Sequence, residues 1–138
     1  MPARRPLTLL CLPLLATGIA ACASTVSTAS FKGEQQQVAQ AVSNLQSDAT
    51  ALEAKKICSD DLAAAILARL NTAPGGCKRA LETQLKQIDN FEATVESVKI
   101  SGDHATAQVK SIRSGKKTVQ TLTLVKEDGK WKISGVVG

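Results

Sequence analysis

Leu124-Val125-Lys126-Glu127-Asp128-Gly129-Lys130-Trp131-Lys132-Ile133-Ser134 is the stretch that decides the fold. Asp-Gly between two runs rich in β-forming residues is a strong hairpin signal, because both residues tolerate the positive φ of a two-residue turn. The stretch therefore reads as the last β-hairpin of an antiparallel sheet, with a closing strand from Trp131 to Val137.

Reading backward from this hairpin, the period stays at two. Thr118 to Lys126 is a strand entered through a turn at Ser114-Gly115. Ala105, Ala107 and Val109 alternate on the strand before it, with a parity switch expected ahead of Ile112. Ser101-Gly102-Asp103 turns the chain out of a first strand, Phe91 to Ile100. There Phe91, Ala93 and Val95 share one parity, Val98 and Ile100 the other, which is what a β-bulge produces. Four consecutive strands with tight turns make a bent antiparallel meander. Val95, Val98, Ala107, Val109, Leu122 and Leu124 form its inward set.

Upstream of Asn90 the period is helical. Val38, Val42 and Leu45 form one stripe from Glu34 onward. Ser47-Asp48 reads as an N-cap for a second piece through Leu52 to about Lys56. Ser59-Asp60-Asp61 reads as a further cap, with acidic residues at the positive end of a helix carrying Leu62, Ile66, Leu67 and Leu70 inward. Pro74-Gly75-Gly76 then breaks the chain before a helix with Cys77, Leu81, Leu85 and Ile88 on its buried stripe. Helices first and strands after argue an α+β domain with its helices on one sheet face.

This order, closing on Trp131-Lys132-Ile133 after a charged Gly turn, resembles the NTF2-like (cystatin-like) superfamily. It is similar in particular to small actinobacterial lipoproteins of that type, which carry a helix ending like Lys56-Ile57-Cys58, a Gly-Gly-Cys like Gly75-Gly76-Cys77, and then four strands. The resemblance spans about residues 34–138 and implies helices packed on a bent four-stranded meander, a shortened NTF2-like fold. No strand pair separates the helices, as it does in full-length enzymes of the superfamily, so a deep cone-shaped pocket is not expected. The superfamily is functionally diverse, and fold alone does not supply function.

The N-terminus carries an address. Arg4-Arg5 precede an almost uncharged run from Pro6 to Ala21, then Cys22, in the order of an export signal. Ile19-Ala20-Ala21-Cys22 resembles the lipobox of bacterial lipoproteins, which implies a diacylglyceryl group on the Cys22 thiol and cleavage before it. The 16 residues of 6–21 fall short of the roughly 20 that span a bilayer, against a transmembrane anchor; a plain secretory signal with a free Cys22 thiol is the other alternative. Arg4-Arg5 faintly resembles a twin-arginine signal but lacks its flanks, so the Sec route is expected. The chain thus divides into a signal peptide (1–21), a lipidated cysteine with a small, polar tether (22–33) and the folded domain (34–138). The expected location is the extracytoplasmic face of a bacterial cell membrane.

Without Arg4 and Arg5 the chain has 15 basic and 12 acidic residues, a net +3 rather than the +5 of the whole sequence. The charges form no block, which argues against a nucleic-acid partner. With Phe31, Phe91 and Trp131 as the only aromatics, there is little to stack on bases or sugars.

Cys11 lies in the discarded run and Cys22 is the lipid site. Cys58 and Cys77, 19 residues apart, read as a disulfide in an oxidising compartment. The alternative, a metal or redox pair, has no CxxC spacing and a single histidine, His104, to draw on.

Catalytic chemistry is thin. His104 follows a turn and is expected at an exposed hairpin tip. Asp60-Asp61 could be a paired carboxylate but reads more simply as a cap. Lys116-Lys117 and Lys130/Lys132 read as solvated turns that could also touch anionic headgroups. Gly75-Gly76 lacks the lysine of a phosphate loop, and Trp131 reads as a core plug. The expectation is a non-enzymatic lipoprotein, without metal or cofactor, that contacts the membrane through Cys22. Its domain would bind a protein partner or small apolar ligand in the concave face; the alternative is a degenerate or unrecognised enzyme of the same fold.

Overall fold

The computed structural model describes residue 28 and residues 30–88, 92–113 and 115–137. The export signal, Cys22, nearly all of the tether, Asn90, Phe91 and Ser114 lie outside the described residues. The elements run α1 (Gly33–Thr50), α2 (Ala54–Lys56), a π-helical turn (Ile57–Asp61), α3 (Ala64–Leu70), α4 (Gly76–Leu85), β1 (Glu92–Ser101), β2 (His104–Arg113), β3 (Lys116–Glu127) and β4 (Lys130–Val137). The four strands pair antiparallel in the order β1-β2-β3-β4, the expected meander.

Turn chemistry sets the sheet. Asp128 and Gly129 take φ of 51° and 76°, the left-handed pair that matches strand twist in a two-residue hairpin. The register slips between Val95 and Ser97, where the parity of the apolar residues changes. A second slip between Thr123 and Leu124 leaves Ser134 as the extra residue on β4. Gly135 then passes so close that a Cβ there would lie 2.9 Å from Thr123 Oγ1. Such bulges bend the sheet around α1.

Val38, Ala39 and Val42 of α1 bury against Ala93, Val95, Val98, Ala105, Ala107, Val109, Leu124, Trp131 and Ile133. A second cluster of Ala54, Ile57 and Leu85 lies under Leu81 and Ile88, and Leu45 and Leu62 touch both. The inward set is apolar as expected, but α1 covers it; it is core.

Four local expectations are corrected. β2 keeps one parity to its end, because Ser111 takes the inward place and its hydroxyl pairs with that of Thr118 at 2.8 Å; the polar pair satisfies itself, so no switch before Ile112 is needed. Ser47 and Asp48 do not cap a second helix: α1 runs on to Thr50 and buries Asp48. Ser59-Asp60-Asp61 does not cap α3 either. Glu127, 63 residues away, accepts the Ala64 N–H on both carboxylate oxygens at 3.2 and 3.1 Å. In the fourth, Lys132 is not a solvated turn residue; its ammonium donates to the carbonyls of Ser59 and Asp60.

Cys58 and Cys77 form a disulfide with Cα atoms 6.2 Å apart. It ties the π-helical turn to the start of α4. There the Cys77 N–H is also accepted by Asn71 Oδ1 at 3.1 Å.

Candidate functional site

The π-helical turn is where the chain departs from ordinary geometry. Its closing bond runs from the Leu62 N–H to the Ile57 carbonyl, at 3.2 Å, one residue wider than an α-turn. Such turns recur at functional sites because they re-aim a side chain. Leu62 follows in extended conformation, bridging in parallel to Ile133, and the Ala63 N–H donates to the Ile133 carbonyl at 2.8 Å. The turn is thus held by β4 on one side and by the disulfide on the other.

Between this turn, α1 and the β3–β4 hairpin lies a cavity of about 400 Å³. Gln37, Gln40, Ala41 and Asn44 supply the α1 wall, Asp60 and Asp61 the turn, and Gly129 to Lys132 the hairpin. Two hollows of about 440 and 490 Å³ along α4 are lined chiefly by surface residues such as Lys78, Arg79 and Glu82.

Two residues set the chemistry of the first cavity. Asp61 is 6% exposed and its Oδ2 has no hydrogen-bond partner; Trp131 is 5% exposed and its indole Nε1 has none. Buried polar atoms nearly always find partners, and the two residues that carry these orphans both line this cavity. One is an acceptor and the other a donor. Lys126 lies over the ring, its ammonium 5.6 Å from the Trp131 centroid while paired with Glu34 of α1.

Asp61 is not alone. Asp48, buried on α1 and paired with Lys56 at 2.7 Å, acts on it electrostatically. Burial first, then the Asp48 charge, pushes the Asp61 carboxyl up to about 7.

Asp60-Asp61 therefore divides: Asp60 stays exposed and Asp61 turns in. The buried carboxylate that acts on Asp61 is Asp48 of α1, which sequence reasoning missed. One signal was present, since Asp48 continues the inward stripe three residues after Leu45. His104 is exposed at the start of β2, on the hairpin tip as expected. Trp131 is the core plug expected of it and also a cavity wall. Among the described residues no group of three or more His, Cys, Asp or Glu could hold a metal ion, and no helix is long and apolar enough to cross a membrane.

Residues 76–136, from α4 to the end of the sheet, match a family described as "putative lumazine-binding". An NTF2-like protein of unknown function from Shewanella baltica OS155 superposes with a TM-score of 0.50 at 16% identity, over 72% of this chain and 87% of that one. An NTF-2-like protein of unknown function from Silicibacter pomeroyi DSS-3 gives 0.38 at 15% identity, over 68% and 91%. A de novo designed protein with a curved β-sheet gives 0.37 at 23%, over 44% and 57%. No curated protein matches significantly. The fold is NTF2-like, an α+β domain of helices on an open four-stranded antiparallel sheet.

Proposed function

We propose that this NTF2-like domain is a non-enzymatic binding module, carried on the outer face of a bacterial membrane by lipid on Cys22. It takes a small polar ligand in the cleft between α1, the π-helical turn and the β3–β4 hairpin. The observation that carries this reading is that Asp61 and Trp131, each with a buried polar atom that no protein group satisfies, line one cavity.

An acceptor and a donor on one cavity favour a ligand with a hydrogen-bond donor beside an acceptor. A planar heterocycle of the lumazine kind, with ring N–H and carbonyl groups side by side, has that edge, and the family match over residues 76–136 supports it. The matched segment contributes the Trp131 wall; α1 and Asp61 lie outside it. An apolar ligand in the concave face is disfavoured, because α1 fills that face.

One observation favours the second reading, an enzyme of the same fold: a carboxyl at about 7 suits general acid–base work. Its burial, with no histidine among the cleft's lining residues, favours binding.

Calorimetric titration of the protein with lumazine tests the proposal. Binding is expected in the wild type and lost in Asp61→Ala and in Trp131→Phe, which removes the indole N–H and keeps a ring. Equal heats from wild type and both variants would remove the reading.

A further inference from the structure

We propose that the β2–β3 end of the sheet is a docking tip for an anionic lipid surface, and that it seats the domain on the bilayer with the cleft turned away. The inference rests on the Cys22 anchor of the reading above and is independent of what the cleft binds.

Three of the four large apolar side chains that stand exposed among the described residues gather at this end: Val119, Val136 and Val137, each 56–60% exposed. Val119 of β3 lies opposite Lys110, and Val137 of β4 lies opposite Thr121, two residues along the same face of β3. The two valines are thus diagonal neighbours. Their face is the outer one, because Lys110 alternates with the buried Val109 and Ser111. Val136 lies opposite Leu122, which packs on the core. It therefore belongs to the inner face, yet it is left exposed. Lysines follow the same division: Lys117 shares the outer parity of Val119, and Lys116 has the inner one. The acidic residues of this half, Glu92 and Glu96, stand on β1, the strand farthest from β4.

A tip with a valine and a lysine on each face fits a bilayer better than a protein. A protein surface would cover one face and leave the other valine in water. A lipid interface closes round both, while lysine stems lie along the apolar tip and their ammonium groups stay among the headgroups. Anionic lipid adds an attraction that neutral lipid lacks.

The tether fits this placement. The ten residues between Cys22 and Gly33 reach at most about 36 Å. The start of α1 lies toward the other end of the sheet, where Gln35 Nε2 donates to the Val98 carbonyl at 3.2 Å and Glu34 pairs with Lys126. Val98 is level with Leu122 through Ala107. Leu122 and Lys126 are five and nine residues from Lys117, about 17–31 Å along β3. The tip can therefore touch the bilayer that holds Cys22, and the short tether keeps it there at high effective concentration. The cleft residues Gly129 to Lys132 lie past the opposite end of β3, about 40 Å away.

The test places an environment-sensitive fluorophore on Val119→Cys or, at the far end, on the exposed Ser101→Cys. Each is made in the full chain and mixed with phosphatidylcholine vesicles that carry a spin-labelled lipid as quencher, with and without phosphatidylglycerol. Flotation reports the anchor and quenching reports the tip. The anchored protein is expected to float on both vesicles, with quenching at 119 and not at 101, stronger on phosphatidylglycerol and weakened by salt. Adding Lys116→Gln and Lys117→Gln should lower the ratio of docked to undocked tip about 30-fold on the anionic vesicles. Flotation without quenching at 119, equal quenching at 119 and 101, or quenching indifferent to phosphatidylglycerol overturns the tip and leaves the anchor standing. Failure to float on phosphatidylcholine alone removes the anchor. The tip then stands if phosphatidylglycerol vesicles still carry the protein through Lys116 and Lys117, and falls if they do not.

Discussion

Lys56 places its ammonium 2.7 Å from the buried carboxylate of Asp48, reaching back eight residues across the end of α1. The chain arranges this through backbone geometry: Leu52 takes a φ of 58°, and the Glu53 N–H closes on the Asp48 carbonyl at 2.8 Å. The side-chain bond to Asp48, then that to Glu53, raises the Lys56 ammonium above its usual range. Lys56→Met should therefore leave Asp48 uncompensated and destabilise the fold, by less than breaking a fully buried pair would because Lys56 itself is exposed. Urea denaturation at neutral pH measures it; an unchanged midpoint would show that the pair contributes nothing.

Asp61→Asn should change the pH profile of stability. In wild type the folded-state value of about 7 lies above the roughly 3.9 of an unfolded aspartate. The folded protein then binds this proton more tightly than the unfolded chain. Its contribution is fully present below pH ~4, is lost as the pH rises through 7, and is level beyond. Asparagine keeps the size and polarity of the side chain without titrating. The difference between variant and wild type should thus move in the variant's favour by about 1–3 kcal/mol from pH 5 to 8.5. A constant difference across thermal melts at pH 5, 7 and 8.5 would contradict the assignment.

Much of the sheet was legible because its signals are local. Asp128-Gly129 declares its turn, and the parity change between Val95 and Val98 marks a bulge that the pairing places at Val95 and Ser97. Val38, Val42 and Leu45 name the buried face of α1. The site was not legible, because what builds it is distant in sequence. The cap on α3 comes from Glu127, and the turn that aims Asp61 inward is fixed by Lys132, Ile133 and Cys77. Read locally, an acidic pair before an apolar run is a helix cap. Only the return of β4 alongside the turn makes the pair a cavity wall.

Leu52→Gly should stabilise the protein. Leu52 sits in the left-handed region just past α1, with its N–H on the Ala49 carbonyl at 3.1 Å, and its side chain is 55% exposed. A leucine there bears a Cβ penalty that glycine avoids, and little packing is lost; the expected gain is about 0.5–1 kcal/mol. Equilibrium unfolding decides it, and a loss of stability would mean that the exposed leucine has a packing role.

Opening the Cys58–Cys77 bridge should cost about 3 kcal/mol on the loop-closure argument. The loss should be uneven, since the bridge holds the turn rather than the sheet. Hydrogen exchange under reducing conditions is expected to accelerate first at residues 57–62 and in α4, with β2 and β3 protected longer. Uniform acceleration would show that the turn has no stability of its own to lose. Two thiols labelled after denaturation without reductant would end the disulfide itself.

Cys22→Ala tests the anchor. The chain ahead of Cys22 has the order of a lipoprotein signal, and the tether from Ala23 to Ser30 is too polar to bind a bilayer by itself. Attachment would then depend on the acyl chains, at about 0.8 kcal/mol for each buried CH₂, and two such chains suffice where one is marginal. The variant should leave the membrane fraction or accumulate as an uncleaved precursor, while wild type partitions into the detergent phase. Because the cysteine lies well before Gly33, where α1 begins, the released domain should keep the unfolding midpoint of the anchored one. A mature variant that still partitions like wild type would remove lipidation from the account and leave residues 1–21 as a plain export signal.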